Sequence, residues 1–298
     1  MGVNSIMIQL AINNEIGKAD PFDQLATLAE FGFTHIHLCY MWNTDAYYEK
    51  PEIDHIRKAI AKSGMTLLDL HGSHGFLKCW YSEEEFRRQA GVLLVRNRIE
   101  ALDALEGIGS LIVHIPTLRT TATPEERAGF LRKAQQLRRS LDELMPVLEK
   151  YDRRIAVENC FNDTFEIFRD LMANYPPERL GIVYDSGHGN YGEAKGIDNL
   201  WELRDRLIAV HLNDNDGTKD MHQPPGFGNV DWEKMARLIV NSSYKLPLNF
   251  EISMKYTPFA DPDATVQSAE NIRAFLADAY RRCCGFAELC DRIRAEKK

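Results

Sequence analysis

Six short apolar runs in this chain of 298 residues each end on a histidine or a carboxylate. MTLLDL runs into His71, SLIV into His114, RIAV into Glu158, GIVY into Asp185, LIAV into His211 and LPLNF into Glu251. The intervals, roughly 25 to 45 residues, leave room for one helix between successive strands. A closed parallel α/β barrel delivers the last residue of every strand to one rim, so residues far apart in sequence meet in one pocket. One polar strand end has a plain reading as a hydrogen-bonded rim residue. Six, all of types that bind metals or move protons, predict a site.

The punctuation between these runs fits eight strand–helix units. Strands are expected at 6–10, 34–39, 65–70, 111–114, 154–158, 180–185, 207–212 and 246–252. Helices are expected from Asp20-Pro21 to Gly32, at 52–63, from Ser82, after Thr123-Pro124, and at 164–174, 197–205, 232–241 and 264–282. Asp20 before Pro21 reads as an N-cap followed by an N1 proline, and Ser82 before three glutamates as a capping box. Gly64 and Gly109 stand where a helix would end on a left-handed residue. An open doubly wound sheet also alternates strand and helix, but it calls for a glycine-rich phosphate turn after the first strand. Residues 11–17 (AINNEIG) are not one, and the glycine pair Gly226 and Gly228 falls after strand seven. The expectation is α/β, a single-domain (β/α)8 TIM barrel over 1–284, with right-handed crossovers. The charged segment 285–298 is expected to be a C-terminal extension, helical or frayed.

Charge and cysteine usage narrow the partners. A net charge of −8 provides no overall attraction to nucleic acid or anionic membranes. No apolar stretch reaches membrane-spanning length, and MGVNSIMIQL lacks the basic flank and long apolar core of a signal peptide. Six scattered cysteines show no zinc-ribbon or redox spacing, so reduced thiols in a cytoplasmic protein are expected. A homo-oligomer stays open, with 283–298 as contact surface.

The densest chemistry lies in the second half. Glu158, Asp185, His211 and Glu251 close four successive strands from the fifth to the eighth, and three carboxylates with one imidazole suit Mn²⁺, Mg²⁺, Co²⁺ or Zn²⁺. Gripped from four strands, such an ion would keep positions for substrate oxygens. Trp42, Phe76, Trp80, Tyr191 and Phe227 are candidate walls of a sugar pocket, with rim packing as the alternative. His37 reads as a packed or hydrogen-bonded histidine, His55 as a surface residue, His74 as a loop residue and Cys160 as a structural thiol. Asn159 and Asn213 are placed to orient their neighbours.

The stretches VENCF, VYDSGHGN, HLNDNDGTKDMH, PGFGNVDW and LNFEIS resemble the xylose-isomerase-like barrel superfamily, which groups sugar isomerases and epimerases with endonuclease IV. The resemblance runs from the first strand to the last helix and is detailed over residues 155–252. It implies that Glu158, Asp185, His211 and Glu251 hold one divalent metal, with His188 at the substrate or a neighbouring metal. By the same resemblance Glu158 and Glu251 become the catalytic acid/base pair, on opposite faces of a sugar. Its counterparts of the endonuclease IV zinc ligands add His71, His114, His188, Asp220 and His222 as further metal or substrate residues.

Two departures matter. The ketose 3-epimerases carry a substrate-holding arginine where this chain has Gly217, and Lys219 could replace it only as a point charge. The nine-residue set exceeds what a one-metal isomerase needs, yet the loops around it are acidic: Asp214, Asp216 and Asp220 stand against Lys219. That disfavours a polyanion such as DNA. The expected function is therefore a divalent-metal-dependent isomerase or epimerase of a small sugar, sugar phosphate or related polyol, moving a proton through a metal-stabilised enediolate. His188, Lys219, Trp42 and Phe227 are its expected substrate contacts. The alternatives are a multi-zinc hydrolase or phosphodiesterase of the endonuclease IV type, an inositol-ketone dehydratase, and a sugar-binding barrel that kept its metal site without activity.

Overall fold

Runs of buried Leu, Ile and Val form strands hidden on both faces, as parallel sheets covered by helices require. The structure is a computed structural model that describes residues 9–73, 75–192 and 196–297. Its strands are β1 (Leu10–Asn13), β2 (His35–Leu38), β3 (Thr66–His71), β4 (Leu111–His114), β5 (Ile155–Glu158), β6 (Leu180–Asp185), β7 (Leu207–His211) and β8 (Leu248–Phe250). They pair in parallel in the order β7-β6-β5-β4-β3-β2-β1-β8. The Leu212 N–H donates to the Asn249 carbonyl at 2.9 Å and draws the two ends together into a nearly closed barrel. This is the single-domain (β/α)8 architecture expected from the strand ends.

Register sets the rim. His114 is the ladder partner of Glu158, and Asp185 that of His211. Two residues before each of these lie Ile112, Ala156, Val183 and Ala209. A strand repeats its face every two residues, so these side chains point the same way, one layer lower. With Ile208 they form a small apolar cluster of their own beneath the polar layer. The larger core lies between the sheet and its helices.

The helices are α1 (Leu25–Glu30), α2 (Lys50–Ser63), α3 (Glu85–Ala104), α4 (Pro124–Tyr151), α5 (Glu166–Asn174), α6 (Ser186–Asn190), α7 (Gly196–Leu203), α8 (Trp232–Val240) and α9 (Ala269–Ala295). Several ends differ from expectation for local reasons. β1 begins at Leu10, whereas residues 6–8 of the expected first strand lie outside the described residues. The Asn13 side chain accepts the Ile252 N–H and that of Asn14 the Cys39 N–H, both at 2.9 Å, so these amides serve neighbouring strand ends. Asp20 caps a turn through the Phe22 and Asp23 N–H groups, and the helix starts only at Leu25.

The capping box expected at Ser82 is absent: its hydroxyl accepts the Glu84 N–H in a turn, and α3 starts at Glu85. A full capping box joins Thr123 and Glu126 at the start of α4. Gly64 takes the left-handed C-cap of α2, but after α3 that conformation falls on Glu106. Gly109 instead passes so close to β3 that a Cβ would lie 2.8 Å from the Leu68 carbonyl oxygen. α9 runs unbroken through Gly285, burying Phe286, Ala287, Cys290 and Ile293, so the terminal segment continues the last barrel helix. The cysteines are free. Among the described residues no helix is long and apolar enough to cross a membrane.

Candidate metal centre

The six strand ends meet. The Glu158 carboxylate, at the end of β5, lies at the centre of the group. Its Oε1 is 2.9 Å from His211 Nδ1, and its Oε2 is 3.1 Å from His114 Nε2 and 3.4 Å from His71 Nε2. Glu251 places Oε2 3.1 Å from the same Nδ1. Glu158 and His211 are fully buried, while the Glu251 side chain keeps 14% of its surface exposed. Ligand atoms of Glu158, Asp185, His211 and Glu251 all lie within 4.8 Å of one another.

Asp185 is fixed by a local device. Its Oδ1 accepts the His188 N–H at 2.7 Å, which caps the short helix α6, and its Oδ2 accepts Asn213 Nδ2 at 2.7 Å. Asn159 grips the Asp185 main chain from both sides, accepting its N–H at 2.8 Å and donating to its carbonyl at 3.0 Å. Gly187 is required here, since a Cβ on it would stand 2.0 Å from the Asn213 side-chain oxygen. The turn also presents His188, whose Nδ1 hydrogen-bonds the Asn159 carbonyl at 2.9 Å and whose Nε2 is 3.6 Å from Asp220. His222 lies 3.1 Å from Asp220 and 3.8 Å from Glu251. Asp185, His188 and His222 form a second ligand group beside the first.

The charges are balanced tightly. Burial favours a neutral Glu158, yet the His211 and His114 imidazoles outweigh it and hold the carboxyl well below the usual range. Glu251 is likewise held down against burial, by His211, His37 and His222. Asp185 is pushed up, because burial outweighs its histidine neighbours. Burial lowers His71. Glu158 Oε2 and His211 Nε2 make no hydrogen bond although both are buried. Buried carboxylates and imidazoles this close, with spare lone pairs, fit a divalent ion of the Mn²⁺, Mg²⁺, Co²⁺ or Zn²⁺ kind.

β2 contributes more than its sequence suggested. His37 and Asp69 are ladder partners, next to a bulge between Ile36 and His37, and their side chains hydrogen-bond through Nδ1. His37 Nε2 then faces Glu251 Oε1 at 3.6 Å. Burial works against a charged His37, but Asp69 and Glu251 raise it to about 10. Cys39 points its thiol at the same Glu251 oxygen, at 3.7 Å. Glu15, in the loop after β1, is raised by burial and by Glu251. The visible signal was the alternation of His35 and His37 with Ile36 and Leu38 along β2. The partner Asp69, in mid-strand, gave none.

A pH prediction follows for the metal-free protein. A histidine raised from 6.5 to about 10 contributes stability that is complete below about pH 6.5 and lost as pH rises through about 10. Melting temperature in EDTA should therefore fall across that window. Asp69→Asn should flatten the fall, with a residual slope from His188 and His222, raised to about 10 and about 9. An unchanged slope in Asp69→Asn would remove His37 as its source.

The other expected residues are distributed unevenly. Trp42 reaches the centre, its ring 5.7 Å from His71, and Trp80 is buried with its N–H on the His114 carbonyl. Phe161 packs on His188 at 4.7 Å and on Tyr191 at 4.8 Å. Lys219 lies over the Tyr256 ring at 4.2 Å. Phe227 packs away from the cluster, under the Arg282 guanidinium of α9 at 4.3 Å. Phe76 is exposed, and His55 packs on Phe22. The Gly226 N–H is committed to Asp214 within its turn. Cys160 is half-buried, its thiol pushed up to about 12 mainly by burial. His74 lies outside the described residues.

Residues 25–275 match the family described as the Xylose isomerase-like TIM barrel. The chain belongs to that family. An uncharacterized protein, y4fM of Sinorhizobium fredii, is 30% identical over 256 residues, 77% of this chain and 80% of that one. Among solved structures, a D-tagatose 3-epimerase-like protein shares the fold at a TM-score of 0.69 and 18% identity, covering 97% of this chain and 99% of its own. The 3-keto-D-glucoside 4-epimerase YcjR of E. coli aligns at a TM-score of 0.67 and 17% identity, over 95% of this chain and 100% of its own. In this xylose isomerase-like barrel the six polar strand ends assemble at one rim.

Proposed function

We propose that the protein is a divalent-metal-dependent isomerase or epimerase of a small sugar, sugar phosphate or related polyol. The observation that carries this reading is the pair of carboxylates, Glu158 and Glu251, brought together at His211 Nδ1 at 2.9 and 3.1 Å. The epimerases that share the fold support the substrate class.

Glu158, Asp185, His211 and Glu251 would hold the ion, which supplies positive charge to the substrate's carbonyl and neighbouring hydroxyl oxygens. Glu251, the more exposed carboxylate, removes the proton beside the carbonyl. Glu251 keeps that proton. Glu158, entering the step as the carboxylic acid, donates its own at the opposite face in epimerisation, or at the next carbon in isomerisation, after which both carboxyls re-equilibrate with solvent. His37 and Cys39 orient Glu251 from behind, and Asn159 and Asn213 keep Asp185 turned inward. Trp42 closes one wall and excludes water.

A second reading has its own observation. Asp185, His188 and His222 could hold another ion next to the first, the arrangement a multi-zinc phosphodiesterase would need. Elemental analysis of the purified protein separates the two. About one ion per chain, together with solvent deuterium entering a ketose or inositol-ketone substrate, is the expected result. Two or three zinc ions per chain, with no exchange, would replace the isomerase reading by the hydrolytic one.

A further inference from the structure

A cavity of about 510 Å³ opens beside β4, between the loop that follows it and α4. That is within the size range of pockets for small ligands. It shares a wall with the metal centre: His114 lines it, and His114 Nε2 is 3.1 Å from Glu158 Oε2. Cys160, two residues past Glu158, lines it too. A molecule bound against Glu158 can therefore extend past His114 into this space.

The lining is cationic in an unusual way. On α4, Arg127, Arg132, Arg138 and Arg139 each pair with a carboxylate, at 2.6 to 3.1 Å. Arg119 and Lys133, the two cations of the cavity, have no carboxylate within 4.0 Å among the described residues. Glu126, the acid in the lining, is occupied in the capping box, where it accepts the Thr123 N–H at 2.8 Å. Thr117 and Thr121 add hydroxyls. Arg119 acts on Glu126 only through space, and two exposed cations without a close ion pair among the described residues, in a chain of net charge −8, favour negative charge in this pocket.

We propose that this cavity is the subsite for an anionic group, phosphate or carboxylate, on the far end of the substrate, held by Arg119 and Lys133. The inference deepens the sugar reading and rests on it for the identity of the remaining molecule. Each charge-assisted contact is expected to contribute about tenfold in affinity.

The test uses calorimetric titration of wild type and Arg119→Gln/Lys133→Gln. Both substitutions lie on exposed side chains outside the metal centre, so melting temperature and metal content should be unchanged. The metal-free protein is titrated with inorganic phosphate and with acetate. The Mn²⁺-loaded protein is titrated with a ketohexose, its 6-phosphate and its 6-carboxylate. The free anion should bind wild type at least about tenfold more tightly than the double variant. The phosphorylated or carboxylated ketose should outbind the neutral one, an advantage lost in the variant. Whichever anion shows the larger effect identifies the group. Equal anion binding by the two proteins overturns the subsite, whatever the ketoses do. Loss of anion binding in the variant, with no ketose bound by either protein, keeps the subsite and overturns the sugar reading.

Discussion

Glu158→Gln is expected to lower turnover by about a thousandfold or more while leaving the barrel folded. The amide fills the same volume, and the apolar layer beneath, Ile112, Ala156, Val183, Ile208 and Ala209, is untouched. What changes is charge. His211, His114 and His71 all face this one carboxylate, and an amide can neither hold an ion with a full negative charge nor carry the proton. Glu251→Gln should be equally severe, since it is the other member of the pair around His211. The check is solvent deuterium incorporation into substrate, with circular dichroism to confirm folding. Turnover retained in either variant would remove that residue from the acid/base pair.

Asp185→Ala should strip the metal, below about one tenth of the wild-type ion content, and should also destabilise the chain. Both Asp185 oxygens are committed inside the protein, to the His188 N–H and to Asn213 Nδ2. Removing them leaves two buried donors without partners, at about 1–3 kcal/mol each. The α6 turn loses its cap at the same time. Elemental analysis and urea unfolding read the two effects separately. Asp185→Asn keeps an acceptor for the turn, so it should recover much of the stability without recovering the metal. Full metal content in Asp185→Ala would show that the ion is held elsewhere.

The fold and the centre of the site were legible because they rest on short, repeated signals. An apolar run followed by His, Asp or Glu marks a strand end, and eight alternations of strand and helix leave few ways to pack. Helix boundaries were less legible. Asp20 and Ser82 look alike as caps, but each closes a turn instead of opening a helix. Capping choices differ by about 1 kcal/mol and are settled by the packing around them. The terminal segment reads as charged, yet its apolar residues fall on the face that α9 already presents to the barrel.

What the sequence by itself determined is the barrel and the strand ends Glu158, Asp185, His211 and Glu251 that it carries to one rim. Only the tertiary structure decided that Asp69 holds His37 toward Glu251, that Asn159 and Asn213 clamp Asp185, that Phe227 packs under Arg282, and that Arg119 and Lys133 share a cavity with His114. The first group are strand ends, which any closed parallel barrel carries to the same rim. The second depend on register, bulges and loop paths, and in a strand a shift of one residue would turn a side chain such as Asp69 to the other face.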